Sequence, residues 1–222
     1  MNSWKGDAMP KGSPELTAAR KEEIVGACEK LYQTMSFKDI TLKEIGKETS
    51  FTRTSIYNYF QTKEEIFLAL YEKEYDRWNA ELVSILMENE KLDKNELADR
   101  LAASIANRQQ LLKLLAMNNY DMEENSRQEL LTSFKVAYGE SMRNIRRILE
   151  KFCPEMSVEE IQSFVYVFFP FMFGIYPYTS VTDKQRAAMR EANVDYVYQS
   201  VYELTYACLC RLLDAQQTKK TD

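Results

Sequence analysis

Histidine is absent from this 222-residue sequence, and glycine and proline together account for only 11 residues. The four cysteines form no C-x-x-C pair, and their spacing is not that of a disulfide framework. Without histidine, a zinc site would need four thiolate or carboxylate ligands, which this cysteine spacing does not supply. We therefore interpret the cysteines as buried free thiols in a reducing compartment, and we expect neither a metal nor a cofactor.

Signatures of enzymes and membrane proteins are also missing. No nucleophile–base pair and no glycine-rich phosphate loop occur, so we do not expect an enzyme. The polar N-terminus lacks the apolar run of a signal peptide. The most apolar segment, residues 164–178, is too short to span a bilayer and contains Pro170 and Pro177. These features predict a cytoplasmic protein with no membrane partner.

The residues that are abundant predict an all-α fold. Apolar residues make up 45% of the sequence and charged residues 28%, which indicates a packed soluble core. Leu, Glu, Lys, Ala and Met favour helices, and the scarcity of Gly and Pro leaves long stretches without a helix breaker.

The net charge of −5 is unevenly distributed along the chain. Residues 1–63 contain ten Lys or Arg and eight Asp or Glu, whereas residues 64–222 contain nineteen and twenty-six. A slightly basic N-terminal module followed by an acidic body is typical of a DNA-binding domain attached to a second domain. The excess of two positive charges is small, so this interpretation needs support from motifs.

Capping residues and apolar spacing divide the N-terminal part into helices. After a disordered arm over residues 1–15, a first helix is predicted over residues 17–35, with Thr17 as its cap. Thr41 begins a second helix, and Glu44 three residues later completes the pattern of a capping box.

Two further helices complete this N-terminal pattern. A third, short helix is predicted from Thr52 to Phe60, and a long fourth helix begins at Lys63. Two short helices joined by a tight turn and braced by a longer one form a helix-turn-helix arrangement. The remaining helices are predicted at about residues 79–89, 94–106, 108–119, 125–152, 157–178 and 184–213.

The third predicted helix has two chemically different halves. At 100° per residue, the half that can pack on the preceding helices consists of Ser55, Ile56, Tyr59 and Phe60. The other half faces solvent or a DNA groove and consists of Arg53, Thr54, Tyr57 and Asn58. No carboxylate occurs in residues 49–63, although Glu and Asp are common elsewhere. A polar helix face that is merely solvated remains the alternative interpretation.

The exposed half carries the side chains that bind DNA. Arg forms paired hydrogen bonds with guanine and Asn with adenine, so Arg53 and Asn58 are candidates for base contacts. Hydroxyl groups such as that of Tyr57 suit phosphate oxygens. Lys63 lies in the first turn of the fourth helix, where backbone amides and the helix dipole also favour a phosphate. Tyr59 lies at the boundary between the two halves and suits either role.

From Thr41 onward, the segment TLKEIGKETSFTRTSIYNYFQTKEEIF resembles the N-terminal signature of TetR-family transcriptional regulators. The matching residues are Ser55-Ile56-Tyr57-Asn58-Tyr59-Phe60 and Lys63-Glu64, and the resemblance covers about residues 20–70. Ser50 stands where the family usually has Gly in the turn, so we expect a left-handed Ser50 at a cost of about 1 kcal/mol. Thr54 stands where the family more often has Gly, Ala or Pro. Because this position is expected to face DNA, the difference would affect which operator sequence is recognised.

The resemblance implies a homodimer of all-helical subunits that binds a palindromic operator, with repression as the family default. Each subunit would have a helix-turn-helix domain over residues 16–63 and a helical effector-binding and dimerisation body over residues 64–222. Carried over by position, the DNA contacts would be Thr41, Lys43, Thr52, Arg53, Thr54, Ser55, Tyr57, Asn58, Tyr59 and Lys63.

The segment FVYVFFPFMFGIYPY (164–178) contains five Phe and three Tyr. These rings either line a ligand cavity or belong to the ordinary core and the dimer interface, and we favour core and interface for most of the rings. The resemblance places the dimer interface on the last two long helices, with the candidates Phe164, Phe168, Val197, Val201, Leu204 and Cys208. Candidates for the effector pocket are Trp78, Met117, Tyr120, Phe134, Tyr138, Met142, Phe171, Phe173 and Tyr176.

These pocket candidates suit a flat, largely apolar or aromatic small-molecule effector. Pro170 and Gly174 are expected to break the apolar helix and open space for it. The absence of histidine and of an evident charged cluster argues against a metal or phosphate effector. We expect the fourth helix to transmit the effector's influence to the DNA-binding domain.

Two classes of function remain open at this point. The first is a ligand-responsive DNA-binding regulator with double-stranded DNA, a small molecule and a second copy of the chain as partners. The second is a helical small-molecule carrier whose head has lost DNA binding. Salt-sensitive binding to random duplex DNA would favour the first, and its absence at about 50 mM salt would favour the second.

Overall fold

The computed structural model describes residues 13–117 and 119–214, and within them it contains eleven helices and no strand. The all-α prediction is confirmed. The helices are α1 (Pro14–Thr34), α2 (Leu42–Lys47), α3 (Arg53–Ile56), α4 (Lys63–Glu88), α5 (Lys94–Ala106), α6 (Gln109–Leu115), α7 (Asn119–Glu124), α8 (Gln128–Phe152), α9 (Val158–Thr179), α10 (Asp183–Glu191) and α11 (Val201–Asp214).

The chain divides into two compact units, and the boundary lies between Leu70 and Tyr71, within α4. The predicted functional boundary at residues 63/64 stays a prediction. The long helix α4 continues through residue 79, so the separate helix predicted over 79–89 is wrong. No Gly or Pro interrupts residues 63–88, and the helix therefore propagates without a stop signal.

Helix α1 begins earlier than its apolar pattern predicts. Pro14 occupies the first turn, where its missing N–H has no intrahelical partner to lose. The Ser13 hydroxyl accepts a hydrogen bond from the Leu16 N–H at 3.3 Å. Thr17 is therefore not the cap. Most of the predicted arm, residues 1–12, lies outside the described residues, but Pro14 and Glu15 are already helical.

The first unit has a small aromatic and aliphatic core. Ile24, Ile45 and Ile56 are fully buried, one each from α1, α2 and α3. Phe67 of α4 is also fully buried, and the Tyr32 ring meets it edge-on at 5.1 Å. Helices α1, α2 and α3 thus each contribute to the apolar core of this unit, which gains roughly 1.5–3 kcal/mol for each large side chain removed from water.

Helix α9 lies among α6, α8 and α11 in the second unit, while α5 packs on α11. Its 22 residues run without interruption through Pro170 and Pro177, so the predicted break at Pro170 and Gly174 is wrong. Pro170 and Gly174 are both exposed, and a backbone carbonyl left without its helical partner there can bond to water.

The helix that contains the most apolar segment is longer than that segment. Among the described residues, Val158–Thr179 is the helix long and apolar enough to cross a bilayer, and 39% of its most apolar window is buried inside the protein. Phe164, Val165 and Phe168 are completely buried, which is how a core helix of a folded domain behaves.

The helix predicted over residues 184–213 is two helices. Helix α10 ends at Glu191, and α11 begins at Val201. Asn193 has a φ of 53° and closes α10, with the next N–H, that of Val194, donating to the Met189 carbonyl at 3.0 Å. Asn tolerates the left-handed conformation because its side chain bonds locally, and it serves as a helix stop.

All four cysteines are free. Cys28 and Cys153 are buried, whereas Cys208 and Cys210 are half-buried, so the prediction of buried thiols is right for two of the four. Burial raises the pKa of the Cys28 thiol to about 12 and that of Cys153 to about 11. Both therefore stay protonated and unreactive in the folded protein at neutral pH.

Candidate nucleic-acid interface and body cavity

Side chains hold the turn between α2 and α3 in place. The Ser50 N–H donates to the Glu23 carboxylate of α1 at 2.6 Å, and the Phe51 N–H donates to the Thr49 hydroxyl at 3.3 Å. The Ser50 N–H and hydroxyl hold the pKa of the Glu23 carboxyl below its ordinary value. Among the described non-glycine residues only Asn193 has a positive φ, so the expectation of a left-handed Ser50 is wrong.

Thr41 caps α2, as its sequence pattern predicts. Its hydroxyl accepts from the Glu44 N–H at 3.4 Å and donates to the Glu44 carboxylate. The Thr41 hydroxyl is the largest cause of a lowered pKa at Glu44. Lys43 is exposed beside this cap. Thr41 therefore already has partners within the chain, and its contact with DNA stays a prediction.

Helix α3 is shorter than predicted. It spans four residues from Arg53, and residues 57–59 form turns in which the Asn58 N–H donates to the Ser55 carbonyl at 3.2 Å. The Thr52 hydroxyl caps it by accepting from the Ser55 N–H at 3.2 Å. Tighter i→i+3 bonds of this kind are common where a helix ends.

Burial nevertheless separates the two halves of this segment as the helical pattern predicts. Ile56 and Phe60 are 0% and 1% exposed. The exposed residues are Arg53, Thr54, Tyr57 and Asn58, which we call the α3 polar surface. Ser55 and Tyr59 are half-buried. Four side chains with hydrogen-bonding groups thus lie together at the surface, in a stretch without a carboxylate.

Arg53 and Tyr57 form a pair on the α3 polar surface. The Arg53 guanidinium donates to the Tyr57 hydroxyl at 3.2 Å and lies 5.9 Å from the centre of its ring. Tyr57 is 44% exposed. The pair presents a cation and a phenol side by side, and the contact lowers the rotamer entropy that Arg53 would lose on binding.

Arg20 is a residue of this region that the sequence did not indicate. Its guanidinium donates to the Tyr59 hydroxyl at 3.2 Å and lies 5.4 Å from the centre of the Phe51 ring. The half-buried Tyr59 ring lies 6.2 Å from that of Phe51. Tyr59 therefore packs within the unit and positions a positive charge from α1 near α3.

The structure gives Lys63 partners within the first unit. Its ammonium donates to the carbonyls of Phe37 at 2.9 Å and Ile40 at 3.4 Å, and it lies 4.0 Å from the Phe37 ring centre. These contacts brace the connector between α1 and α2. The predicted phosphate contact of Lys63 is untested, and the geometry favours a structural role for this side chain.

A cavity of about 510 Å³ lies in the second unit. Five of the predicted pocket residues line it: Met117, Tyr120, Phe134, Tyr138 and Phe173. Glu123 and Lys135 also line it, although the sequence pattern did not single them out. This volume suits a small organic molecule, and the wall is aromatic with a few polar groups.

The four other predicted pocket residues do not line this cavity. Trp78 is fully buried, and its indole N–H donates to the Ser104 hydroxyl at 3.1 Å, which makes it a core residue. Met142, Phe171 and Tyr176 are half-buried elsewhere in the same unit. Helical spacing identifies an apolar face but does not say which part of that face borders a void.

An ion pair joins the two charged residues of the cavity wall. The Lys135 ammonium lies 2.6 Å from the Glu123 carboxylate and 5.1 Å from the centre of the Phe134 ring. The Tyr138 phenol has a pKa raised by burial, so it remains neutral and able to donate a hydrogen bond. The cavity thus combines aromatic faces, a neutral hydroxyl and one pair of opposite charges.

Hydrogen bonds tie the cavity wall on α8 to α4. The Ser133 hydroxyl donates to the Glu72 carboxylate at 2.6 Å, and the Asn79 amide donates to the Ala137 carbonyl at 3.0 Å. Between these two bonds, the Phe134 ring stacks on that of Tyr71 at 5.0 Å. A displacement of α8 at the cavity wall would therefore strain these contacts and shift α4 as well.

The predicted dimer-interface residues occupy different environments. Phe164, Phe168 and Val201 are buried within the single chain, so they belong to its core and not to the predicted dimer interface. Val197 is 80% exposed, and Leu204 and Cys208 are half-buried. The sequence does not indicate which of the five Phe rings of α9 point inward, because both faces of this helix are apolar.

A row of exposed apolar residues follows the outer face of α9. We call it the α9 apolar stripe, and its members are Tyr166, Val167, Pro170, Gly174, Pro177 and Tyr178. Tyr166 is 63% exposed, Val167 47% and Tyr178 59%. Their spacing of three, four and seven residues keeps them on one side of the helix. An exposed apolar row of this length is typical of a protein–protein contact.

Sequence profiles decide the family. A profile described as "Bacterial regulatory proteins, tetR family" matches residues 24–70. A second, described as "Tetracyclin repressor-like, C-terminal domain", matches residues 72–199, more than half of the chain. The chain belongs to the TetR family. It is a ligand-responsive, DNA-binding regulator of that family, whose members are generally transcription factors and not enzymes.

Solved structures share the fold of this TetR-family chain. A TetR-family regulator from Mesorhizobium loti has a TM-score of 0.57 and 14% identity, covering 91% of this chain and 97% of that one. A TetR regulator from Rhodococcus sp. RHA1 has a TM-score of 0.52 and 14% identity, covering 93% of this chain and 100% of that one. RolR, solved with the ligand resorcinol, has a TM-score of 0.51 and 14% identity, covering 94% of this chain and 96% of that one. A comparison with curated protein sequences finds no significant match.

Proposed function

We propose that this TetR-family regulator is a cytoplasmic repressor that binds a palindromic operator as a homodimer and is released by a small, largely apolar or aromatic effector. One observation carries the proposal. Arg53, Tyr57 and Asn58 lie exposed together on the α3 polar surface, whose opposite side is fixed by the buried Ile56 and Phe60. Placement on a rigid, packed segment is what a groove-binding element needs.

The α3 polar surface supports a division of labour on DNA. Arg53 and Asn58 have the donor and acceptor geometry for guanine and adenine edges in the major groove. Thr54 and Tyr57 offer hydroxyls to phosphates, and the exposed Lys43 of α2 adds a positive charge to the same unit. Thr41 and Thr52 act first as capping residues, and the Ser55 hydroxyl already lies 3.0 Å from that of Thr52. These three hydroxyls contact DNA only through hydrogen-bonding capacity that these contacts leave over.

The α9 apolar stripe supports the dimer. A two-fold axis brings the same surface of both copies together, so one self-complementary apolar row is sufficient for an interface. Tyr166, Val167 and Tyr178 would become buried there. Each large side chain buried contributes about 1.5–3 kcal/mol before the cost of association.

Coupling between effector and operator is proposed to run through α4. The α8 wall of the cavity is hydrogen-bonded to α4 at Glu72 and Asn79, and α4 is one continuous helix from Lys63 to Glu88. An operator with half-sites one turn apart favours about 34 Å between the two recognition elements. An effector that binds better to another arrangement releases DNA by as much as its differential affinity.

Fluorescence anisotropy of labelled duplex DNA tests the proposal. Fragments selected by the purified protein from random DNA supply the operator, and binding is then measured between about 50 and 200 mM salt with and without candidate effectors. We expect salt-sensitive binding that an effector reverses. Resorcinol, the ligand in the similar RolR structure, is one candidate for the effector screen. Absence of DNA binding at the lowest salt would indicate a small-molecule carrier instead.

A further inference from the structure

The charge arrangement of the body cavity points to the chemical class of its ligand. We propose that the cavity binds an organic cation, an aromatic molecule with a positively charged nitrogen, and that its Glu123 carboxylate and aromatic rings hold that charge. The inference deepens the proposed function, since it takes this cavity as the effector site. It rests on the positions of Glu123, Lys135 and the rings around them.

The wall of the cavity favours positive charge. Phe134, Tyr138, Phe173 and Tyr120 present rings, and the negative face of each ring attracts a cation within about 6 Å of its centre. The sulfur of Met117 adds a polarisable contact. Such faces do not attract an anion, and a neutral ligand gains contact area without the attraction between a full charge and the ring quadrupole.

Lys135 already shows how this wall holds a cation. Its ammonium lies 2.6 Å from the Glu123 carboxylate and over the Phe134 ring, 5.1 Å from the ring centre. A carboxylate and an aromatic face that both contact one ammonium form a site for a positively charged nitrogen. In this structure, the protein's own lysine occupies that site.

Lys135 is a replaceable occupant. Its side chain is 47% exposed, so the ammonium can move into water on its flexible four-carbon stem, and hydration then offsets the lost ion pair. Glu123 is 32% exposed and has the shorter stem. A ligand cation therefore displaces Lys135 and takes over both its carboxylate and its ring. An anionic ligand would need Lys135 to stay, and it would then lie against the Glu123 carboxylate.

A matched set of three ligands separates charge from shape. Phenyltrimethylammonium and tert-butylbenzene have nearly the same size and outline, but only the first is charged, and benzoate supplies an anion on the same ring. Calorimetric titration of the full-length protein without DNA gives each dissociation constant. We expect the cation to bind at least about tenfold more tightly than either of the others, a factor typical of one cation–π cage.

Two substitutions on the cavity wall should change the affinity for the cation in opposite directions. Glu123→Gln keeps the shape and removes the charge, so affinity for phenyltrimethylammonium should fall about tenfold while tert-butylbenzene is unaffected. Lys135→Met removes the competing ammonium, so affinity for the cation should rise about threefold. Glu124→Gln, at the neighbouring exposed residue that does not line the cavity, is the control and should change neither.

The outcomes separate this inference from the proposed function. Equal binding of the cation and its neutral counterpart, tighter binding of benzoate, or no cation binding at about 1 mM overturns the organic-cation assignment and leaves DNA binding untouched. Weaker cation binding by Lys135→Met also overturns it, because the ion pair would then only shape the wall. Cation binding without any DNA binding supports the inference and contradicts the regulator.

Discussion

The α3 polar surface and the α9 apolar stripe are both exposed in the single chain, yet their chemistry is opposite. Arg53 and Asn58 on the first surface carry hydrogen-bonding groups that water satisfies well in the free protein. Tyr166 and Val167 on the second are 63% and 47% exposed, and their largely apolar side chains have an unfavourable contact with water. One surface is therefore stable when unoccupied, whereas the other favours a permanent partner.

The difference predicts how tightly each surface is held. A polar surface exchanges water for bases and phosphates with a small net gain per contact, so its binding can be reversed by salt or by an effector. An apolar surface gains free energy in proportion to the area buried and depends little on salt. The proposed function, in which DNA is released while the dimer persists, needs this pairing of surfaces.

The largest effect is expected when a charge is placed on the α9 apolar stripe. Val167→Glu would bury two carboxylates in a symmetric interface, so we expect a folded monomer and operator affinity lower by about a thousandfold, or about 4 kcal/mol. Light scattering after size-exclusion chromatography measures the mass, and circular dichroism checks the fold. Val136→Glu makes the same change at a valine that is 61% exposed outside the stripe and should remain dimeric. A dimeric Val167→Glu protein would exclude the stripe as the interface.

A smaller and more specific loss is expected on the α3 polar surface. Arg53→Ala should lower operator affinity about 10- to 100-fold and relax the preference at one base position, because a paired arginine–guanine contact is lost. Anisotropy titrations against single-base operator variants measure both effects. Arg100→Ala removes an exposed arginine of α5 and serves as the control. An equal loss on every DNA sequence would show that Arg53 contacts phosphate and not a base.

Features of the sequence that act over three or four residues predicted the first surface well. The predicted Thr41 cap is in place, and α3 begins just after Thr52, where the sequence predicts its start. The periodicity of α3 separated Ile56 inside from Arg53 outside although the helix itself is short. Local hydrogen bonds and one-turn spacing are properties of the chain itself, so they need no knowledge of distant neighbours.

Contacts between distant residues account for what the sequence could not predict. Arg20 bonds to Tyr59 from 39 positions away, and Glu123 pairs with Lys135 across 12. No local pattern joins either pair. Helix α9 is apolar on both faces, so the sequence does not indicate which side faces inward, and the resemblance that places the interface on this helix does not separate Phe164 from the exposed side. Burial in the fold selects one face, and tertiary packing is required to determine it.

Lys63 offers a test of whether the DNA-binding side also depends on interior contacts. Lys63→Met removes the ammonium that bonds to the Phe37 and Ile40 carbonyls, and we expect the free energy of unfolding to fall by about 1–2 kcal/mol. Urea denaturation followed by circular dichroism measures it. The exposed Lys43→Met control should stay within about 0.5 kcal/mol of the wild type. Unchanged stability with a salt slope reduced by about one would instead make Lys63 a phosphate ligand.

The smallest effect tests whether the proposed dimer interface includes α11 as well as α9. Cys208 is half-buried and was predicted to lie in the dimer interface, and burial raises the pKa of its thiol. If α11 takes part, alkylation of Cys208 should be about threefold slower in the dimer than in the Val167→Glu monomer, because the interface excludes the reagent. Mass spectrometry of iodoacetamide-treated protein gives the rates, and the fully buried Cys28 should stay unmodified in both. Equal rates at Cys208 would restrict the interface to α9, so that the self-complementary row on one helix would have to hold the dimer without α11.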